Sequence, residues 1–298
     1  MAVKKRQKAL SSGRPPISKK NLEGGSLSAK ATRNIIRTHH RLHKEHAAAL
    51  KRGDKTLAAH LEDAIEGNGG LKVYQAASKQ GQSKSRGGDS SKILVNWLQH
   101  NGIIKSNIRV QKDSKEPKKA PYRLLEVGAL SSENEISKFP DIIKVTRIDL
   151  NSQGPGITQQ DFMKRPLPEA PEEFFDIVSL SLVLNYVPDP AQRGEMLKRI
   201  TQFLRAQEQL QSPSQAHNIF PALFFVLPLP CVANSRYLDE NKLVQIMGNL
   251  GFTLRERKNT AKLCNYLFTL SGKGNRFKSK KEMIGDSRTM NNFCIVID

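Results

Sequence analysis

At 298 residues the chain has room for one sizeable domain plus an accessory region. Its 48 Lys and Arg against 28 Asp and Glu give a formal net charge of +20 and a pI near 10.0. That balance points to a polyanionic partner, RNA or DNA ahead of a membrane surface, and argues against an enzyme acting only on small molecules.

No apolar run approaches the ~20 residues needed to cross a bilayer, so no membrane partner is expected. The N-terminus lacks the apolar core of a secretory signal. Cys231, Cys264 and Cys294 are far apart in sequence, without zinc-site spacing and too few for a disulfide framework. A reducing compartment follows, nucleus or cytosol.

Residues 1–28 are rich in Lys, Ser, Gly and Pro and read as a disordered basic tail. Within it Lys4-Lys5-Arg6-Gln7-Lys8 reads as a nuclear or nucleolar address, or as a nonspecific phosphate contact. Ala29–Arg52 has helical spacing, with Ile35, Ile36, Leu42 and Leu50 on an apolar side and Arg33, Arg37, Arg41 and Lys44 supplying charge. His39, His40, His43 and His46 lie on the same helix. His39 and His43 are one turn apart, but no third ligand completes a site, so no metal is expected and these are read as surface or RNA-facing histidines.

Further helices are predicted over 55–66, 71–79 and 90–99, separated by Gly67-Asn68-Gly69-Gly70 and by the glycine- and serine-rich loop 81–88. That loop lacks the glycine-lysine-hydroxyl ending of a P-loop, which excludes an NTPase. Residues 111–121 form a charged linker. The stretch 29–121 therefore reads as a helical accessory region and linker, and 122–298 as the main domain.

From Tyr122 the pattern alternates. Strands are predicted at 122–127, 144–149, 175–181, 220–227, 252–258 and 264–270, with helices near 131–138, 190–206 and 238–250. This is an α/β chain with a mostly parallel, doubly wound, Rossmann-like sheet. Only Lys258–Lys262 separates the last two strands, too little for a parallel crossover, so they should form an antiparallel hairpin. A parallel sheet closed by such a hairpin distinguishes many methyltransferases from dehydrogenases.

The first strand, Tyr-Arg-Leu-Leu-Glu-Val, runs into Gly128, and the second ends in Asp149. A glycine turn after one strand and an acid about 20 residues later are how nucleotide-type folds hold an adenosine: the bare backbone approaches the ligand and the carboxylate accepts from the ribose hydroxyls. With one glycine in the turn rather than three, a pyrophosphate has no bed, so NAD and FAD are disfavoured. S-adenosylmethionine has no phosphate and carries a sulfonium, which suits the single glycine and nearby carboxylates. Glu126 lies within the first strand, where an unpaired carboxylate would be costly, and is a further candidate for binding the cofactor. Asp161 is placed to accept from an adenine amine and Phe162 to cover the ring face. The third strand leads through Ser179 and Ser181 to Asn185 and Tyr186, at the carboxyl end where an acceptor would meet the sulfonium. Asn185 offers amide hydrogen bonds and Tyr186 a stacking face, and both are candidates for positioning the substrate.

Taken together, GALSSEN after YRLLEV, RIDLNSQ, QQDFMKRPLP, FDIVSLSLVLNYVPDPAQRGEMLKR and LFFVLPLPCVANSRYLD resemble the fungal 25S rRNA adenine-N1 methyltransferase family across roughly 70–298, including YQAASKQGQ at 74–82. The resemblance implies a Rossmann-like enzyme that uses S-adenosylmethionine to methylate N1 of an adenine in large-subunit rRNA or a pre-ribosome, in the nucleolus. It also implies Gly128 and Asp149 as the main cofactor contacts, with Asp161, Phe162 and Ser179 around the adenine. Similar animal proteins act as cofactor sensors, so the alternative is a noncatalytic S-adenosylmethionine-binding sensor or scaffold. A DNA-binding structural protein leaves the Gly128/Asp149 register without explanation. Nothing in the sequence specifies an oligomeric state.

Overall fold

A computed structural model describes residues 27–81, 88–105, 120–152, 154–206 and 219–298. The basic cluster at 4–8, most of the 81–88 loop and nearly all of the 111–121 linker lie outside the described residues.

Three helices open the described chain: α1 (Ala29–Arg52), α2 (Lys55–Gly67) and α3 (Gly70–Gly81). Ser28 caps α1 by accepting from Ala31 N–H at 3.1 Å, and Gly53 closes it in the left-handed conformation at φ 76°. Leu42 and Ala49 of α1 pack on Ala58, Leu61 and Ile65 of α2 as a small apolar cluster. α4 (Ser91–His100) packs elsewhere. Its Leu94, Val95, Trp97 and Leu98 join Leu124, Ile143, Ile177, Phe224 and Leu267 in the core on one face of the sheet, although α4 precedes the linker in sequence.

The sheet has seven strands in the order β3-β2-β1-β4-β5-β7-β6, where β1 is Tyr122–Val127, β2 Ile143–Asp149, β3 Thr158–Gln159, β4 Ile177–Ser181, β5 Ala222–Pro228, β6 Phe252–Asn259 and β7 Leu263–Leu270. β1 to β5 are parallel, and β7 lies antiparallel between β5 and β6. The short β6–β7 connection imposes that hairpin. β5 and β7 are buried on both faces, which is why each reads as an apolar run rather than an alternating one. α5 (Pro190–Phe203) and α7 (Glu240–Asn249), with the short α6 (Pro230–Ala233) between them, cover the other face. The three cysteines are buried and free.

Three features depart from the sequence expectation. The helix expected at 131–138 is only a 3-10 turn at Glu135–Lys138. Side chains take its backbone donors: Ser131 Oγ accepts from Glu133 N–H at 3.0 Å, Asp89 accepts from Glu135 N–H, and Ser91 Oγ accepts from Ile136 N–H at 3.2 Å. The two-residue β3 carries too little pattern to be seen in sequence. The C-terminal stretch, for which no element is predicted, buries Phe293, Ile295 and Ile297 in the main core. There Val296 lies so close to Gly194 of α5 that any Cβ would collide with its carbonyl.

Candidate active site

The site forms at the carboxyl ends of β1, β2 and β4, where a parallel sheet leaves a crevice beside its first strand. β1 stops at Gly128, which turns the chain at φ 75° and donates its N–H to Ile148 O at 2.8 Å. A side chain here would be strained by that φ and would strike Val183, so the glycine is required by the protein's own packing as well as by any ligand. Glu126, two residues earlier, is paired inside the fold, 3.3 Å from Arg147 Nε and accepting from Asn134 Nδ2 at 2.6 Å. Burial pushes its carboxyl up to about 7, outweighing the pull of Arg147.

Asp149 ends β2 with Oδ1 accepting from Asn151 N–H at 2.8 Å; no described residue hydrogen-bonds its second oxygen. Its carboxyl is held above the usual range by burial, with the Asn151 N–H and Lys79 opposing. Asn151 in turn ties this corner to α3: its Nδ2 donates to Gln75 Oε1 at 2.6 Å, and Gln75 Nε2 donates to Asn151 O at 3.2 Å. Gly128, Asp149, Asp161 and Phe162 all line one cleft of about 850 Å³ of empty space, part of it open to solvent.

Several of the expected residues sit differently from the sequence reading. Asp161 spends one oxygen on Met163 N–H at 2.9 Å, capping the 3-10 turn Phe162–Lys164, while bordering the cleft. Phe162 is only 3% exposed and packs on Phe203 with centroids 5.2 Å apart, so it walls the cleft from the core and offers no open ring face. Ser179 is buried at mid-strand beside Glu126 and Phe224 and does not border the cleft; Ser181, two residues on, does, and hydrogen-bonds Ser90 at 2.8 Å. Glu126 borders the adjoining cavity, which shares Val127, Gly128, Leu130 and Ser181 with the cleft.

Sequence reasoning missed the contributions of α3 and of Leu150. Leu71, Tyr74, Gln75 and Ser78 of α3 line the cleft, and Leu150, immediately after Asp149, stands 68% exposed at its edge. Sequence places Leu150 directly after the strand-ending acid, but its exposure, like the approach of α3, is set by tertiary packing.

Tyr186 lies on the far wall. Its ring faces His40 of α1 at 4.1 Å and meets Tyr74 edge-on at 5.4 Å, while His39 stacks on Tyr74 at 4.3 Å. The histidines expected at the surface are therefore partly buried packing groups. Burial first, then neighbouring charges, lowers His40 to about 3 and His39 to about 4, so both are neutral at physiological pH. Tyr186 borders the cleft, whereas His40 and Asn185 border a second pocket beyond it, lined also by Arg37, Arg41 and Lys44. Asn185 Oδ1 is buried there without a hydrogen-bond partner among the described residues. At the end of β4, Leu182 takes φ 57°, a left-handed strain of the kind found at functional sites.

A sheet ordered 3-2-1-4-5-7-6, with a glycine turn after β1 and an acid ending β2, defines a Rossmann-like class I methyltransferase fold. The chain belongs to the family described as 25S rRNA (adenine(2142)-N(1))-methyltransferase, Bmt2, which it matches over residues 59–295. It is 38% identical over 264 residues to the 25S rRNA adenine-N(1) methyltransferase of Schizosaccharomyces pombe, covering 88% of this chain and 89% of that one. It is 36% identical over 245 residues to the 25S rRNA (adenine(2142)-N(1))-methyltransferase of Saccharomyces cerevisiae, covering 81% of this chain but 64% of that relative. Among solved structures, TnmH aligns at 13% identity and TM-score 0.43 over 80% of this chain and 70% of its own. The O-methyltransferase NcsB1 aligns at 13% identity and TM-score 0.40 over 79% and 70%.

Proposed function

We propose that the chain transfers a methyl group from S-adenosylmethionine to N1 of an adenine in large-subunit rRNA, acting on rRNA or a pre-ribosome in the nucleolus. The observation that carries this reading is family membership across the segment that builds the Gly128/Asp149 cleft. The basic cluster at 4–8 and the net charge of +20 support the nucleolar address and the RNA partner.

The residues present fit the cofactor. Gly128 leaves bare backbone at the turn, Asp149 has an unengaged oxygen for ribose hydroxyls, and Leu150 and Leu71 supply exposed apolar surface for the adenine. Asp161 keeps one oxygen for the exocyclic amine. When bound, S-adenosylmethionine supplies an electrophilic methyl on a sulfonium. Adenine N1 is unprotonated at neutral pH and brings its own lone pair, so the protein needs no general base. The task left to its residues is alignment. N1 lies on the pairing edge, so the adenine must arrive unpaired or flipped out. Asn185 Oδ1, buried and unpartnered among the described residues, can accept from the amine beside N1, and the Tyr186 ring can position the base.

The test is to map N1-methyladenine in large-subunit rRNA from cells with and without this protein, by reverse-transcription arrest. One adenine should lose its methyl group when the protein is absent. An unchanged map overturns the enzymatic reading and favours a cofactor-binding sensor.

A further inference from the structure

The second pocket lies between α1 and the C-terminal stretch, enclosing about 1230 Å³ of partly open space. Five cations line it, Arg37, Arg41, Lys44, Arg193 and Lys281, against one carboxylate, Glu45, which already pairs with Arg41 at 3.2 Å. Arg193 is 2% exposed; its guanidinium donates to the carbonyls of Val187 at 2.8 Å, Cys294 at 2.6 Å and Pro188 at 3.2 Å and lies over the Phe293 ring, 4.4 Å from its centroid. No described carboxylate makes an ion pair with it, although the nearby Asp189 favours its charge, so the floor presents a buried cation held by carbonyl dipoles and a ring. With five cations lining it against one carboxylate, the pocket carries an excess of positive charge that favours an entering anion. Burial first, and the Arg193 charge second, hold the Lys44 ammonium below its usual range.

The geometry points to this pocket as a seat for the phosphodiester backbone of single-stranded RNA flanking the methylated adenine. The inference rests on the enzymatic reading above and adds where the substrate strand lies. Arg37, Arg41 and Lys44 are spaced i, i+4 and i+7, so they form a stripe about 10 Å long on one side of α1, enough to follow a backbone rather than hold a single ion. The stripe runs beside the transfer point. His40 lines this pocket and touches Tyr186, which lines the cofactor cleft, so a single pair of rings separates the two spaces. Asn185, with its unpartnered oxygen, lies on the pocket side of that partition. Backbone held along α1 would therefore present a flipped base to Asn185 and Tyr186. The concavity favours a phosphate chain over a flat acidic protein surface, and Arg forks suit phosphate oxygens.

The experiment uses the full chain and a fluorescent single-stranded RNA bearing one adenine in a uridine run, with affinity measured by anisotropy across a salt series. The triple variant Arg37→Gln, Arg41→Gln, Lys44→Gln should bind at least tenfold more weakly, with its log–log salt slope reduced by about 2, since each phosphate no longer neutralised lowers the slope by about 0.7. Arg37→Gln alone, at an exposed residue without an ion-pair partner among the described residues, should lower the slope by about 0.7. Calorimetric affinity for S-adenosylmethionine should not change in either. Lys258→Gln with Lys262→Gln, two exposed charges on the β6–β7 hairpin, is the control and should stay within about twofold of wild type. Wild-type RNA binding by the triple variant, or an equal loss in the control, overturns the proposal. So does equal competition by polyglutamate of matched charge, which would reassign the pocket to acidic peptides. If RNA binding depends on the pocket while the rRNA methylation map is unchanged without the protein, the seat stands and the enzymatic reading fails. If methylation depends on the protein but the pocket variants bind as wild type, the enzymatic reading stands and the seat fails.

Discussion

The His40 and Tyr186 rings lie 4.1 Å apart, tilted 36° to one another, and join residues 146 positions apart in the chain. One comes from the N-terminal helix and the other from the end of β4, and their contact forms the wall between the Gly128/Asp149 cleft and the basic pocket. The surface on which Tyr186 was expected to hold an acceptor base is thus already partnered by the protein. An incoming adenine must displace His40 or take the place of one ring in this cluster.

Tyr186→Phe should retain most methylation, because the ring contacts with His40 and Tyr74 persist and only the hydroxyl's interactions with Tyr74, Ser78 and Asn185 are lost. Tyr186→Ala should lower both stability and methylation, with about 3 kcal/mol lost from the fold, as for other large aromatic truncations. Denaturant melts alongside single-turnover methylation of an rRNA fragment read this directly. A Tyr186→Ala protein of wild-type stability would show that the ring cluster does not dock α1.

His40 makes stability pH-dependent with a definite sign. Its folded pKa, lowered to about 3, lies below the unfolded value of 6.5, so between those values the unfolded chain binds more protons. Its contribution is therefore full above about pH 6.5 and is lost as pH falls toward 3. From pH 7 to pH 5 this one ring should account for up to about 2 kcal/mol. Denaturant melts at pH 7, 6 and 5 should fall more steeply for wild type than for His40→Asn. Parallel curves would contradict the buried neutral histidine.

Asp149→Ala should weaken S-adenosylmethionine binding by about 1.5–3 kcal/mol, or ten- to a hundredfold, through loss of an acceptor for the ribose. The fold loses only the cap on Asn151, so the melting temperature should change little. Calorimetric titration with wild-type affinity would remove Asp149 from the cofactor site.

Gly128→Ala should destabilise by about 2 kcal/mol, combining a side chain at φ 75° with a collision against Val183. In a Val183→Ala background the collision is relieved and only the backbone strain remains, so the cost of the glycine replacement should fall by about half. Additive costs in the four proteins of this cycle would show that Val183 does not constrain the turn.

Much of the candidate cleft was legible because it is local. Gly128 at the end of an apolar run and Asp149 at the end of the next are fixed by strand length and turn chemistry, and the structure brings both to one cleft. Phe162 and Ser179 face other ways than expected for a related reason. Sequence indicates that a residue follows or belongs to a strand, but not which way its side chain faces once a helix covers the sheet. Phe162 goes under α5 onto Phe203, and Ser179 stays within the sheet.

The alternating pattern, the length of the Lys258–Lys262 connection and the order of apolar runs were enough to determine a parallel sheet closed by an antiparallel hairpin, since each rests on near-neighbour geometry. The excess of positive charge likewise indicated a polyanionic partner without any coordinates. Only the tertiary structure decided what α1 and α3 do. Their docking brings Tyr74 and Gln75 to the Gly128/Asp149 cleft, sets His40 against Tyr186 and gathers Arg37, Arg41 and Lys44 over the buried Arg193. Those contacts join residues 76 to more than 140 positions apart, and they depend on how whole helices pack, which no local periodicity records.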